Sequence, residues 1–135
     1  MFSFHHVALS VQDQDASISF YSVFGFVPVY RWSSDDGALS IVQLKLDETV
    51  LELFCFKESD AAPDSSQTLT TDLPRIGIKH FGLCVADIHA AKAHLQALGL
   101  ADGVDVIQGR TGIDYFFIKD PSGILLEVVQ DDRKL

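Results

Sequence analysis

The chain repeats itself. His6-Val7-Ala8-Leu9-Ser10-Val11 leads to Asp13 and a helical pattern ending at Gly25, while His80-Phe81-Gly82-Leu83-Cys84-Val85 leads to Asp87 and a helical pattern ending at Gly99. The spacing from His6 to His80, from Asp13 to Asp87 and from Gly25 to Gly99 is 74 positions each time. Later, Val50-Leu51-Glu52-Leu53 is answered by Leu125-Leu126-Glu127-Val128 with a slip of one residue. Self-similarity at a fixed period means that one supersecondary unit is used twice, so the fold must be built from two matching modules.

Local chemistry supplies the content of each module. The alternation after each histidine suits a strand, and Asp13 or Asp87 can cap the following helix by accepting from its free amide groups. Ala16, Phe20, Val23 and Phe24 recur at helical spacing, as do Ile88, Ala91, Leu95 and Leu98. Gly25 and Gly99 can then take the left-handed conformation that ends a helix. Strands are expected at about 27 to 32, 39 to 46 and 49 to 56, then at about 104 to 108, 113 to 118 and 124 to 130. Asp47-Glu48 and Asp120-Pro121-Ser122-Gly123 have the composition of hairpin turns. The order is βαβββ twice, an α+β fold. Module one covers about 1 to 56 and module two about 76 to 131, within a single domain of 135 residues. Between them, Lys57 to Arg75 is rich in Ser, Thr, Asp and Pro and reads as a surface connector.

Side chains alternate across a strand, so the companions of each candidate ligand can be named. His6 shares a face with Phe4, Ala8 and Ser10, and His80 with Ile78, Gly82 and Cys84. The opposite faces, with Val7, Leu9 and Val11 or Phe81, Leu83 and Val85, are apolar and suit packing against a helix. Glu52 and Glu127 likewise lie opposite leucine and valine neighbours. All four polar groups are therefore expected to point into one concavity, with room beside the small Ala8 and Gly82. A carboxylate inside a strand such as VLELF needs a partner, because burying an unpaired charge costs several kcal/mol. Two imidazoles and two carboxylates can satisfy one another through a divalent cation, and the set suits Zn, Ni, Co, Fe or Mn without choosing among them. His5 has the opposite parity to His6, and His89 and His94 fall on the second helix; all three are expected to be non-ligands. Cys55 and Cys84 read as buried thiols in a reducing compartment rather than a disulfide.

Composition narrows the function classes. A formal charge of −9 with scattered Lys and Arg argues against nucleic acid, leaving a small molecule as the better partner. No apolar run approaches the roughly 20 residues that span a bilayer, and the opening lacks the basic start and cleavage site of a signal peptide, so no membrane partner is expected and the expected location is the cytoplasm.

HVALSV, the SFY helix ending in VFGF, LELF, HFGLCV and DPSGILLEV together resemble the motifs of the glyoxalase, bleomycin-resistance and extradiol dioxygenase superfamily, known as vicinal oxygen chelate proteins. The resemblance implies two paired βαβββ modules in a cup-shaped sheet with helices outside, a metal held by His6, Glu52, His80 and Glu127, and a homodimer. It also implies glyoxalase-like lyase or isomerase chemistry, in which a metal-bound glutamate moves a proton between adjacent carbons of a chelating substrate. Glu127 is the first candidate for that base and Glu52 the second. A glutathione-carrying substrate would want cations for its carboxylates, and only Arg31 stands near a strand end.

Two other functions fit the same frame. A ring-cleaving dioxygenase would want a histidine upstream of the Asp-Pro and a tyrosine three residues before it; Arg110 to Ile113 has no histidine, and Phe117 holds the tyrosine position. A metal-free drug-binding protein of the bleomycin-resistance kind agrees with the acidity but has no need of the four ligand candidates. Trp32, Phe54, Phe56, Tyr115 and Phe117 suit the lining of either pocket or the core.

Overall fold

A computed structural model describes all 135 residues. The first half runs β1 (His6–Ser10), α1 (Gln14–Ser22), β2 (Val27–Ser33), β3 (Leu39–Leu46) and β4 (Thr49–Phe56). A 3-10 turn (Asp64–Gln67) and the short helix α2 (Leu69–Asp72) follow. The second half runs β5 (Phe81–Cys84), α3 (Ile88–Ala97), β6 (Ile107–Gln108), β7 (Asp114–Lys119) and β8 (Leu125–Gln130). The class is α+β, with βαβββ used twice. The two four-stranded sheets have orders β1-β4-β3-β2 and β5-β8-β7-β6. The outer pairs β1/β4 and β5/β8 are parallel and all other pairs antiparallel. The chain divides into two compact units: residues 1–64 with 120–122, and residues 65–119 with 123–135.

In the first unit, Val42, Leu44, Leu51 and Leu53 bury one face of the sheet while Gln43, Val50 and Glu52 keep partial exposure on the other. The period of two is the strand alternation doing its ordinary work. Helix α1 contacts β2 and β4. Asp13 starts it by accepting from the Ala16 amide at 2.9 Å, and Gly25 ends it at φ +94, where a Cβ would also press on Leu46 Cδ1 at 3.2 Å. The second unit repeats this arrangement. Phe116, Ile118, Leu126 and Val128 are buried, Asp87 accepts from the His89 and Ala90 amides, and α3 contacts β8. No helix is long and apolar enough to cross a membrane.

Four details differ from the sequence reading. The buried face of α1 is Ser17, Phe20 and Tyr21, while Val23 is exposed. Tyr21 reaches full burial because its hydroxyl donates to Asp120 Oδ2 at 2.9 Å. Strand β6 shrinks to two residues, because its ladder with β7 holds only Ile107 opposite Tyr115 and Gln108 opposite Asp114. The Lys57 to Arg75 connector is partly ordered: Asp72 is buried, accepting from Arg75 Nε at 2.9 Å with Lys79 Nζ at 3.4 Å. Lastly, Cys84 is exposed and Cys55 half-buried, so neither is the fully buried thiol expected. Cys84 shares the open face of β5 with Gly82, and Cys55 sits close to the end of β4.

Candidate metal centre

Each unit brings one histidine to one glutamate, on the face turned away from the buried aliphatic residues. In the first, His6 opens β1 and Glu52 sits mid-β4, with His6 Nε2 3.9 Å from Glu52 Oε2. In the second, His80 stands immediately before β5 and Glu127 sits mid-β8, with Nε2 3.2 Å from Oε2. Nowhere in the chain are three or more His, Cys, Asp or Glu side chains grouped so that they could hold a metal ion, so each predicted ligand is found with one partner ligand only. The two glutamate side chains are only 17% and 16% exposed. A carboxylate at that depth needs charge compensation.

The donors suit a divalent ion. Imidazole nitrogen and carboxylate oxygen each bind such an ion at about 2.0–2.2 Å, so neighbouring donors on one ion lie roughly 3.0–3.4 Å apart. The His80–Glu127 separation falls in that range, and the His6–Glu52 separation lies about half an ångström above it. Space is also present. A Cβ on Gly82 would meet Glu127 Oε2 at 3.3 Å, so the glycine leaves the carboxylate the volume that a larger residue would take. The Nδ1 atom of His80 is buried with no hydrogen-bond partner in the chain, while the ring packs edge-on against Phe117, centroids 4.8 Å apart at 79°.

Other side chains reach these pairs. Gln43, opposite Glu52 on β3, donates from Nε2 to Glu52 Oε1 at 2.9 Å. His5, set aside on parity, lies with its Nδ1 2.9 Å from His6 Nδ1; one of the two ring nitrogens carries the shared hydrogen. His89 and His94 are exposed on α3. The sequence reading missed Gln43, whose signal was its place on the same face as Ile41 and Lys45; only the β3–β4 register aligns it with Glu52. Tyr115 and Phe117 form an aromatic pair, centroids 5.6 Å apart, beside His80. Arg31 is exposed on β2, and Trp32 and Phe56 are exposed rather than core.

Comparison with known proteins agrees with this architecture. Residues 3–128 match the model of the Glyoxalase/Bleomycin resistance protein/Dioxygenase superfamily. The chain is 29% identical over 132 residues to the protein YaeR of Escherichia coli K12, covering 93% of this chain and 94% of that one. A glyoxalase family protein from Enterococcus faecalis superposes with a TM-score of 0.76 at 26% identity, covering 94% of this chain and 96% of that one. A lactoylglutathione lyase from Agrobacterium tumefaciens superposes with a TM-score of 0.63 at 27% identity, covering 95% and 92%. With the doubled βαβββ frame and a family match over nearly its whole length, the chain belongs to the Glyoxalase/Bleomycin resistance protein/Dioxygenase superfamily.

Proposed function

We propose that this chain is a metal-dependent, glyoxalase-like lyase or isomerase acting on a small substrate that presents two neighbouring oxygens. The observation that carries the reading is the repetition of one His–Glu pair, Nε2 facing Oε2, at matching positions of both units. His6, Glu52, His80 and Glu127 would together hold one divalent ion, the two units being supplied by one chain or by two chains of a homodimer. Likeness to a lactoylglutathione lyase supports the class of chemistry.

The ion would supply Lewis acidity to the two substrate oxygens. Glu127, as general base, would take a proton from one substrate carbon onto Oε2 and return it to the adjacent carbon, so that the reaction consumes no oxidant or reductant. Glu52, tied to Gln43, would hold its position, and the ring of Phe117 would fix the plane of His80. Tyr115 and Phe117 would keep water from one side of the substrate.

The test is elemental analysis of the purified protein, followed by assay with methylglyoxal plus glutathione, and separately with catechols, after addition of Ni²⁺, Zn²⁺, Co²⁺, Fe²⁺ or Mn²⁺. The expected result is one ion per four-ligand set and glutathione-dependent loss of methylglyoxal that Glu127→Gln abolishes. Absence of any divalent-ion binding would move the assignment to a metal-free binding protein. Catechol turnover with oxygen uptake would replace it with a dioxygenase.

A further inference from the structure

The two histidines that face the glutamates enter their strands differently. The β1–β4 ladder begins at His6 itself, and one residue earlier the His5 carbonyl accepts from the Val50 amide at 3.3 Å. The β5–β8 ladder begins only at Phe81, so His80 stands outside it. The rings differ too: His6 has the Nδ1 of His5 against its own Nδ1 at 2.9 Å, whereas His80 Nδ1 is buried with no hydrogen-bond partner. No hydrogen bond on the far nitrogen steers the His80 ring, so its aim at Glu127 follows from where the backbone enters β5. At that entry stands Lys79, 74 positions after His5. Its ammonium is buried 3.4 Å from Oδ2 of Asp72, whose Oδ1 takes Arg75 Nε at 2.9 Å. No apolar side chain pins the segment between the two, since residues 73–78 are all exposed, Ile76 and Ile78 at 97% and 87%.

We propose that Asp72 and Lys79 are positioning residues for His80: their buried ion pair cinches the chain between them and so delivers the imidazole to Glu127, the task that strand pairing performs for His6. A buried ammonium does not leave its counter-ion cheaply, because the separated charge would stand uncompensated where water reaches it poorly. The pair therefore fixes the Lys79 backbone, which the exposed residues before it cannot do. With Lys79 fixed, His80 Nε2 is held 3.2 Å from Glu127 Oε2 and its ring edge-on to Phe117. The inference concerns that contact and needs no ion; only its consequence for metal affinity rests on the reading of His80 as a ligand.

The test compares the full chain with Lys79→Met and Lys79→Arg. Methionine keeps the apolar stem and removes the charge, and Arg75 remains to compensate Asp72, so the unit keeps its fold. In metal-free protein labelled with ¹⁵N-histidine, Lys79→Met should shift and broaden the His80 ring signals and weaken the Overhauser contact between the His80 and Phe117 rings severalfold. His5 and His6 in the same sample should not change, and Lys79→Arg should restore both His80 readouts. Titration with Co²⁺ should show Kd raised about tenfold in Lys79→Met, the lower end of what groups behind a metal ligand contribute, and normal in Lys79→Arg. Unchanged His80 signals in Lys79→Met overturn the inference even where stability drops, since a merely structural pair would give that result. Equal disturbance of His6 overturns it as well. His80→Ala separates the two readings. If it loses Co²⁺ while Lys79→Met binds normally, the metal reading stands and this inference falls; if it keeps Co²⁺, the metal reading falls and the His80 spectrum alone decides.

Discussion

Removing one oxygen atom from the core, with Tyr21→Phe, tests how the first unit is held together. Tyr21 is fully buried, and its hydroxyl donates to Asp120 Oδ2 at 2.9 Å; Asp120 is itself 4% exposed and also accepts from the Ser122 amide at 2.8 Å. A hydrogen bond to a charged acceptor contributes about 1.5–3 kcal/mol, and phenylalanine preserves the ring packing, so the variant should lose that amount at neutral pH. For a chain of this length the loss corresponds to roughly 5–10 °C in Tm. The pH dependence has a definite sign. Burial, reinforced by the Asp120 carboxylate, pushes the Tyr21 hydroxyl far above its ordinary value of 10.0. The folded state therefore keeps the proton while the unfolded chain gives it up, and this share of stability, complete below pH 10, is lost as the solution becomes more alkaline. The gap between wild type and Tyr21→Phe should shrink by on the order of 1 kcal/mol between pH 9 and pH 11. Urea unfolding at fixed temperature across that range is the assay. A neutral-pH loss below about 0.5 kcal/mol, or a gap that stays constant up to pH 11, would refute the reasoning.

Four further outcomes follow from the structure. Leu53→Ala, at a fully buried position under α1, should cost about 2–5 kcal/mol in chemical denaturation. Gly25→Ala should cost about 1–2 kcal/mol by the same assay, because its φ of +94 suits glycine and the new methyl would crowd Leu46. Burial pushes the Asp72 carboxyl up, but Arg75 and Lys79 outweigh this and hold it below its ordinary 3.8; the deficit of Asp72→Asn seen at neutral pH should therefore narrow as pH falls below about that value, read by acid titration of the circular dichroism signal. Chelation with EDTA should abolish turnover of any methylglyoxal–glutathione activity, and re-addition of the ion should restore it in wild type but not in Glu127→Gln.

The doubled frame was legible because its marks are local. Asp13 and Asp87 cap, Gly25 and Gly99 stop, and the alternation around Glu52 and Glu127 assigns faces without knowledge of the partner strands. What stayed hidden depends on which strand lies beside which. Gln43 becomes a partner of Glu52 only through the antiparallel register of β3 and β4. Tyr21 was passed over because helical spacing picked Val23 and Phe24 as neighbours of Phe20, while its hydroxyl partner lies 99 positions away. The pairing of His5 with His6 escaped for a different reason. Strand parity separates adjacent residues, but His5 precedes β1, where the alternation does not yet apply.

Residues 120–122 come from the last hairpin of the chain yet belong with the first unit. During synthesis the first sheet leaves the ribosome well before the turn that seals its helix, an interval on the order of seconds at usual elongation rates. For that interval the nascent amino-terminal half has the carboxyl acceptor for Tyr21 still unmade. A fragment ending before Asp120 would be caught permanently in that state, so bisecting the gene between the repeats should yield two unequal pieces, the front one needing its missing turn from the back.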